Sequence, residues 1–404
     1  MAQGDAELSR ASAEGKKIPS TIRLLGWVSF FTDVSSEMIL PILPLFLRNV
    51  LRAGMTSIGL IEGLADATAS LLKVVSGYFS DRSRRRKPLV VAGYSLSTLV
   101  KPMLAAATQW WHVLLVRFTD RVGKGIRTAP RDALIADASS AHHRGRSFGF
   151  HRAMDTAGAI VGTLLAFLVL SLKAQNYRLV FLLAFVPGAL AVLILLSLRE
   201  PARETQSQRP VSPAIFLQMG SRYYLLLLLM VFGTFANVSY AFFILRANDL
   251  GVASRWIPLI YLVYNVVYAA VAMPVGALSD RRGRVPVLIS GYLVMALVMF
   301  GFAHATLAVH AWLLFLAYGL VSAVLETVPR AFVADMVGSA ARGSGLGLYH
   351  TTVGLAALPG SVLFGYLWHH FSARVAFYYG AGVSLVAILC LAVLLILGEG
   401  GPQK

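Results

Sequence analysis

Ionisable side chains interrupt the long apolar runs of this chain, and their types limit the chemistry they can do. Asp33 and Glu37 in the first run and Asp66 in the second are carboxylates, which can bind and release a proton inside a membrane. Arg117 in the fourth run keeps its proton, so it can only hold an anion or tune a neighbour. The candidate residues for proton coupling or for a substrate cavity are Asp33, Glu37, Glu62, Asp66, Arg117, Arg121, Asn237, Tyr240, Tyr264, Asn265 and Glu326.

Four of these ions are predicted to form a cluster in the N-terminal half. Counted from the ends of their apolar runs, Asp33, Asp66, Arg117 and Arg121 lie near the same depth. The alternative is that such ions only neutralise one another and hold the half together, because an unpaired buried charge is costly. That structural role is the expected one for three further ions, Lys73, Lys101 and Asp120.

The composition assigns the chain to a membrane. Of its 404 residues 57% are hydrophobic and 14% are charged, whereas a soluble protein carries about a quarter charged residues. The net charge of +17 does not indicate a nucleic-acid partner, because Lys and Arg stand in short clusters between apolar runs. Cys390 is the one cysteine, so no intramolecular disulfide is expected. We expect no cofactor and no metal, since the histidine pairs at 142–143 and 369–370 have no cysteine or acid cluster beside them.

Twelve apolar windows are long enough to cross a bilayer, for which a helix needs about 20 residues. They predict an all-α membrane protein with 12 transmembrane helices in two pseudo-symmetric six-helix bundles. The expected organisation is a cytoplasmic tail 1–20, a bundle 21–198, a linker 199–221, a bundle 222–397 and a tail 398–404. The windows, numbered as spans 1 to 12, are 22–47, 56–80, 88–108, 111–134, 146–172, 177–198, 222–245, 255–279, 286–304, 309–335, 343–368 and 374–397.

Positive charge predicts the orientation of these spans, because cytoplasmic loops carry an excess of Lys and Arg. The loop after span 2 holds five basic residues between positions 82 and 87, and the loop after span 8 holds three between 281 and 284. The central linker and the loop between spans 4 and 5 fall on the same side. We therefore expect a multi-pass protein of the plasma (inner) membrane with both termini in the cytoplasm.

The chain repeats its own motifs at offsets close to 200 residues. GYFSDR at 77–82 returns 199 positions later as GALSDR at 276–281, and TAPR at 128–131 returns as TVPR at 327–330. Six spans per unit preserve the direction of each span, so the halves are predicted to be parallel repeats about an axis along the membrane normal.

The second half replaces several of the charges with amides and tyrosines. Asn237 stands where the first half has Asp33, and tyrosine and asparagine replace the acidic pair of span 2 in span 8. We expect the first half to handle ions and the second to bind substrate; the open alternative is ordinary hydrogen bonding between helices. Glu326 and Arg330, four residues apart in span 10, are expected to pair.

The repeated hexad resembles a signature of the major facilitator superfamily of secondary transporters, written G-x-x-x-D-R-x-G-R-[RK] for the loop between spans 2 and 3. The first copy has Arg84 where the family has glycine. The resemblance covers residues 20–397 and implies that spans 1, 4, 7 and 10 line a central cavity while spans 3, 6, 9 and 12 face lipid. The implied gating residues are Gly77, Asp81, Arg82, Gly276, Asp280 and Arg281.

The signature also has a physical interpretation. A glycine lets two helices approach closely, and an aspartate at a helix end can accept from an arginine or from a neighbouring helix N-terminus. We interpret the motif as a gating clasp. If the residues only set the topology, the arginines are explained, but the recurrence of glycine and aspartate at fixed spacing is not.

Span 5 resembles part of the antiporter signature of the same superfamily, G-x8-G-x3-G-P-x2-G-G. Gly149, Gly158 and Gly162 match its first three glycines, whereas a threonine replaces the proline and the final glycine pair is absent. We expect these glycines, on one stripe with Asp155, to pack span 5 closely at the interface between the halves, and the resemblance favours export. His151 and Asp155 are expected to form either a hydrogen-bonded pair or a proton relay.

These features predict a secondary active transporter of the drug or metabolite efflux kind that works by alternating access. The acidic groups of spans 1 and 2 favour proton-coupled efflux of a small cationic or amphipathic molecule; the arginines of span 4 favour the alternative, export or uptake of an organic anion. A non-transporting receptor is the remaining alternative. The chain has no nucleotide-binding loop, HExxH motif or nucleophile elbow, so it is not expected to be an enzyme. The expected partners are a small-molecule substrate, protons and membrane lipids, with no nucleic acid, and the expected state is a monomer.

Overall fold

Helices joined by short loops make up the described chain, which contains no strand in the ranges given below. This agrees with the predicted all-α fold. The linker 199–221 lies largely outside these ranges, as do the two predicted tails, so the domain boundaries stay predictions. The computed structural model describes residues 18–82, 85–139, 143–198, 200, 219–337 and 342–398.

All twelve predicted spans are present, and eight of them are continuous helices. Their ends agree with the predicted windows to within about one turn or two, because each apolar run is bounded by charged or turn-forming residues. The continuous spans are span 2, Met55–Arg82; span 4, Trp110–Asp137; span 5, Arg144–Leu172; span 8, Ile257–Arg282; span 9, Arg284–His304; span 10, Ala308–Met336; span 11, Arg342–His370; and span 12, Ala373–Gly398.

The other four spans are interrupted helices. Proline accounts for two of the breaks: Pro41 follows the end of the first helix of span 1, and Pro102 follows the first helix of span 3. Proline has no N–H to donate and its ring clashes with the preceding turn. The interrupted spans are span 1, Ser20–Ile39, Leu43–Leu45 and the π-helical segment Phe46–Val50; span 3, Lys87–Val100 and Met103–Ala106; span 6, Tyr177–Leu183 and Phe185–Leu196; and span 7, Ser221–Thr234 and Tyr240–Asp249.

Nine helices in the described part of the chain are long and apolar enough to cross a membrane. The spans outside this set are span 2, span 4 and span 7. Span 7 is divided into two shorter helices, whereas spans 2 and 4 carry the charges that the sequence places inside the membrane. Those two helices need partners for their ions inside the protein, because lipid supplies none.

The two six-span halves meet at the end of the molecule opposite the basic loops. There Arg48, at the end of span 1, forms an ion pair of 2.6 Å (Nη1 to Oδ1) with Asp249, at the end of span 7. Span 2 packs closely on span 11 near the same end: a methyl group at Gly63 would lie 2.7 Å from the Cα of Leu358. Glycine is required for this approach of two backbones.

The halves separate at the other end, which carries the basic loops and is called the basic end below. A side chain added at Gly145, Gly149, Gly343 or Gly347, in the first turns of spans 5 and 11, would meet no atom of the described chain within 4 Å. The molecule is therefore closed at one end and open at the basic end.

Candidate substrate cavity and its ion pairs

A cavity of about 200 Å³ lies among the first five spans, where the charges of the N-terminal half converge. It is lined by eight basic and four acidic side chains, so positive charge predominates. Span 4 supplies most of the cations, since basic residues recur along one of its faces at spacings of three and four. The basic residues are Lys73, Lys101, Arg117, Arg121, Lys124, Arg127, Arg131 and Arg152, and the acidic ones are Asp33, Glu37, Asp120 and Asp155.

The most buried ion pair of this region joins spans 2 and 4. Nη2 of Arg117 lies 3.3 Å from both carboxylate oxygens of Glu62. Ser239, at the break in span 7, donates its hydroxyl to Oε2 of Glu62 over 3.3 Å. Glu62 therefore binds an arginine of its own half and a hydroxyl of the other half.

The four ions predicted to cluster all lie in the described chain, but they do not form ion pairs with one another within 4.0 Å. Arg121 lies 3.8 Å (Nε to Oδ2) from Asp120 on its own helix, and not beside Asp33 or Asp66. Depth along a helix does not specify the direction of a side chain around its axis. Lys101 donates to the hydroxyls of two serines of span 1, at 2.8 and 3.0 Å, which fits its expected structural role.

Five cations of the cavity have no carboxylate within 4.0 Å among the described residues: Lys73, Lys101, Lys124, Arg127 and Arg152. Arg127 is held in place by neutral groups, because Nη1 donates to the hydroxyl of Ser97 over 2.6 Å. Its guanidinium also lies 4.4 Å from the ring centre of Tyr94. Arg127 is thus fixed in position while its charge stays available to an anion in the cavity.

The three coupling candidates of the sequence occupy different surroundings. Asp33 and Glu37 line the cavity, and Oε2 of Glu37 is buried with no hydrogen-bond partner in the described chain. Asp66 is exposed, although it lies one turn from the buried Glu62. Glu37 and Glu62 therefore have buried carboxylate oxygens, while Asp66 is exposed.

Tyrosines of the C-terminal half form a series of ring contacts near these charges. The rings of Tyr240 and Tyr261 lie 5.3 Å apart, and Tyr264 stacks on Tyr318 at 4.9 Å. The hydroxyl of Tyr240 is buried without a hydrogen-bond partner among the described residues. Tyr240 and Tyr264 are candidates from the sequence, whereas Tyr261 and Tyr318 are not among them.

The remaining candidates of the second half lie apart from one another. Asn237 is exposed at the break between the two helices of span 7, and Asn265 lines the second cavity described below. The expected Glu326–Arg330 ion pair is not formed. Glu326 instead lies close to Tyr268 of the neighbouring span 8.

A second cavity, of about 360 Å³, lies between span 5 and span 8. It shares with the first cavity four lining residues, namely Asp33, Glu37, Arg152 and Asp155, so the two spaces adjoin. Its remaining lining is mostly apolar and comes from both halves of the molecule. We call this space the cleft.

The side chains of the gating motif are described more completely in the second copy than in the first. Arg284 binds Asp280 (Nη1 to Oδ1, 2.5 Å) and Asp335 (Nε to Oδ2, 2.8 Å), which ties the end of span 8 to the end of span 10. Arg281 is exposed. In the first copy Arg86 pairs with Asp137 in the same way, while the side chains of Asp81 and Arg82 lie outside the described part of the chain.

The two glycines of the gating motif are not in close contact in this conformation. A side chain begun at Gly77 would lie 3.7 Å from Ala129, and one at Gly276 would lie 3.8 Å from Thr327. Both are ordinary van der Waals distances, and the basic end, where these residues lie, is the open one. The predicted close approach is therefore absent from this state.

The glycine stripe of span 5 packs against span 1 of the same half, so the expected contact between the halves is wrong. Gly158 contacts the backbone of Phe30, Gly162 contacts that of Val34, and Gly149 has no neighbour within 4 Å in the described chain. The same face of span 5 carries Asp155, which accepts a hydrogen bond from Ser29 of span 1. The predicted pairing of His151 with Asp155 is present at 3.5 Å (Nδ1 to Oδ2).

Several residues of the site were not predicted, and only some of them had a signal in the sequence. Arg127 and Arg131 continue the basic face of span 4 beyond Lys124 at spacings of three and four. Ser239 had only the weak signal of lying near Asn237. Tyr94 and Arg152 had none, because their contact with the cavity depends on how spans 3 and 5 are rotated.

Two six-span bundles, with a charged cavity among the spans of the first, are typical of a polytopic membrane transporter. The chain belongs to the Major Facilitator Superfamily, whose family model matches residues 25–252 and 224–404. Each match covers about one half, as expected for two homologous units. The family assignment, the fold and the absence of enzymatic activity predicted from the sequence are thereby confirmed.

Relatives and solved structures agree with this assignment. An uncharacterized MFS-type transporter of Methanocaldococcus jannaschii is 36% identical over 394 residues, which is 96% of this chain and 98% of that protein. The multidrug resistance protein MdtH of Edwardsiella ictaluri is 23% identical over 308 residues, 74% of each chain. The crystal structure of the nucleoside transporter NupG matches with a TM-score of 0.79 at 17% identity, covering 93% of this chain and 99% of that one.

Proposed function

We propose that this protein is a proton-coupled transporter of a small organic anion. The observation that carries the proposal is the excess of basic over acidic side chains around the first cavity, eight against four. Arg117 and Arg121 are engaged by carboxylates, while Lys124, Arg127 and Arg152 are not. The sequence leaves two substrate classes open, a cation and an anion. A cationic substrate would have to enter a cavity that is itself positively charged.

Glu62 and the enclosed carboxylates Asp33 and Glu37 are proposed to couple transport to protons. Glu62 holds the guanidinium of Arg117 when it is charged. A proton on Glu62 would remove that attraction and leave Arg117 free to bind a substrate anion. Because Glu62 also accepts from Ser239, the same proton would weaken a contact between the halves.

The membrane location and the direction of transport remain part of the proposal. Basic loops favour a cytoplasmic basic end in the plasma membrane, so the state described here would be open to the inside. For an anion, the sequence leaves export and uptake open. Because the proton and the anion bind together in the step above, an inward proton gradient would drive uptake, whereas the name of the MdtH relative, a multidrug resistance protein, favours export.

A thermal-shift screen of the purified protein with anionic, cationic and zwitterionic metabolites tests the substrate class. An anion present at 100 times its Kd should stabilise the protein by about 2.7 kcal/mol. Hits are then tested by counterflow in proteoliposomes, where a transporter produces transient accumulation and a channel does not. Stabilisation by cations and not by anions would contradict the proposal.

A further inference from the structure

We propose that the cargo is an amphiphilic anion whose charged group occupies the basic cavity and whose apolar part occupies the cleft between spans 5 and 8. The charge of the cargo rests on the proposed function. The apolar part rests on separate observations, which concern the cleft alone.

The two spaces are positioned to hold one molecule. They share Asp33, Glu37, Arg152 and Asp155, so the two spaces adjoin at these four side chains. Their volumes, about 200 and 360 Å³, together fall in the usual range of small-molecule sites. Arg152 borders both and can reach the charged end of the ligand.

The cleft is apolar away from this shared border. Ile160 of span 5 faces Val266, Ala269 and Met273 of span 8 around it. Met273 is 84% exposed and Val266 49% exposed. Exposing such apolar surface to water is unfavourable. An alkyl or aryl group that covers it contributes about 25 cal/mol of binding free energy for each Å² of apolar surface removed from water.

The halves meet along two edges, and the edge formed by spans 5 and 8 contains the cleft. Spans 2 and 11 are in close backbone contact, with Gly365 against Met55 and Gly59 against Ser361. At spans 5 and 8 the halves are in contact towards the end opposite the basic loops, where the rings of Phe167 and Trp256, the residue before span 8, lie 5.3 Å apart. An occupant is therefore accommodated at spans 5 and 8 and excluded at spans 2 and 11.

Binding of straight-chain carboxylates to the protein in lipid nanodiscs tests the inference. Kd is measured by titration calorimetry for butanoate, octanoate and dodecanoate, with empty nanodiscs as the blank. We expect Kd to fall with chain length by up to about fourfold for each methylene group. Dodecylammonium serves as the probe with the opposite charge and should bind at least tenfold more weakly than dodecanoate.

Two adjacent alanines of span 8 provide a matched pair of variants. Ala269 lines the cleft, whereas Ala270 does not, and both are exposed. Ala269→Trp should raise the Kd for dodecanoate at least tenfold relative to that for butanoate, and Ala270→Trp should leave this ratio unchanged. Met273→Ser, which removes apolar lining without adding volume, should flatten the dependence on chain length.

The outcomes separate this inference from the proposed function. Equal Kd values at all chain lengths would overturn the inference while the anion proposal stands. Failure of every carboxylate to bind would overturn the anion proposal itself. Equal effects of the two tryptophan variants would remove the cleft as the location, and equal binding of dodecylammonium would remove the charged cavity as the site of the head group.

Discussion

Arg117 and Glu62 form an ion pair that is enclosed on all sides, with Arg117 5% and Glu62 2% exposed. The hydroxyl of Ser239 reaches the same carboxylate from the other half. The side chain of Glu62 thus both neutralises Arg117 and takes part in a contact between the halves. The predictions below begin with this pair.

Breaking the pair from the arginine side should be strongly destabilising. Arg117→Gln leaves a buried, uncompensated carboxylate, which costs about 3–5 kcal/mol. The double variant Glu62→Gln, Arg117→Gln should regain most of this loss. Thermal unfolding of the purified variants measures both. Arg284→Gln is the control, because its partners Asp280 and Asp335 are exposed. Ion pairs of that kind contribute about 0–1 kcal/mol to stability. Equal losses of stability in Arg117→Gln and Arg284→Gln would contradict the prediction.

Neutralising the coupling carboxylates should uncouple transport. Glu62→Gln, and separately Asp33→Asn, should retain exchange of substrate across the membrane but lose accumulation driven by a proton gradient. The measurement compares counterflow with gradient-driven uptake in the same proteoliposomes. Asp335→Asn is the matched control outside the cavity, and it should change the rate without changing the coupling. Normal gradient-driven accumulation by Glu62→Gln would exclude this residue from the coupling role.

Arg127 should contribute to anion affinity through its charge and not through the fold. Arg127→Gln can keep a hydrogen bond to Ser97 but loses the cation, so we expect the Kd of an anionic ligand to rise about tenfold or more, as for loss of a charged hydrogen bond. The melting temperature without ligand is the control measurement. A fall in melting temperature with no change in Kd would assign Arg127 a structural role only.

The ion pair between Arg48 and Asp249 should bias the molecule towards the state described here. The pair is partly exposed and is expected to contribute about 0.2–1 kcal/mol, which is up to about a fivefold change in populations. Arg48→Asp should open the end opposite the basic loops, and Arg48→Asp combined with Asp249→Arg should restore closure. Distances between spin labels on spans 1 and 7, in a background of Cys390→Ser, measure this. Closure that is unchanged in Arg48→Asp would show that the pair does not hold the end shut.

The glycines of span 5 should differ sharply in tolerance. Gly162→Val places two methyl groups against the backbone of Val34 and should cost about 1–3 kcal/mol. Gly149→Ala meets no neighbour in the described chain and should be neutral or stabilising by up to about 1 kcal/mol. Thermal unfolding compares the two. Similar destabilisation by both would show that Gly149 packs in another state of the molecule.

The spans, the duplication and the family could be predicted because they depend on patterns along the chain. Runs of about 20 apolar residues predict helices whatever their partners. Pro41 and Pro102 are a partial signal for the breaks in spans 1 and 3, because proline has no N–H to donate. A proline alone does not predict a break, since Pro130, Pro274, Pro329 and Pro359 lie inside continuous helices. The break in span 7 has no such signal, because no proline lies between Thr234 and Tyr240.

The pairing of the charges could not be predicted from the sequence. Glu62 and Asp66 share a face of span 2, yet the first is buried and the second exposed, because their surroundings are set by neighbouring helices. Likewise Gly158 and Gly162 predict a close contact but not its partner, which is span 1 of the same half. Rotations and neighbours are tertiary properties, and the sequence of one helix does not contain them.

The close contact of spans 2 and 11 has a consequence for how the molecule moves. Helices whose backbones touch through Gly59, Gly63 and Gly365 can pivot about the contact, but they cannot easily part. We therefore expect a hinge along this edge, with the larger displacement at spans 5 and 8 on the far side. The opening between the halves would then widen asymmetrically, and a long cargo would leave by the edge that swings.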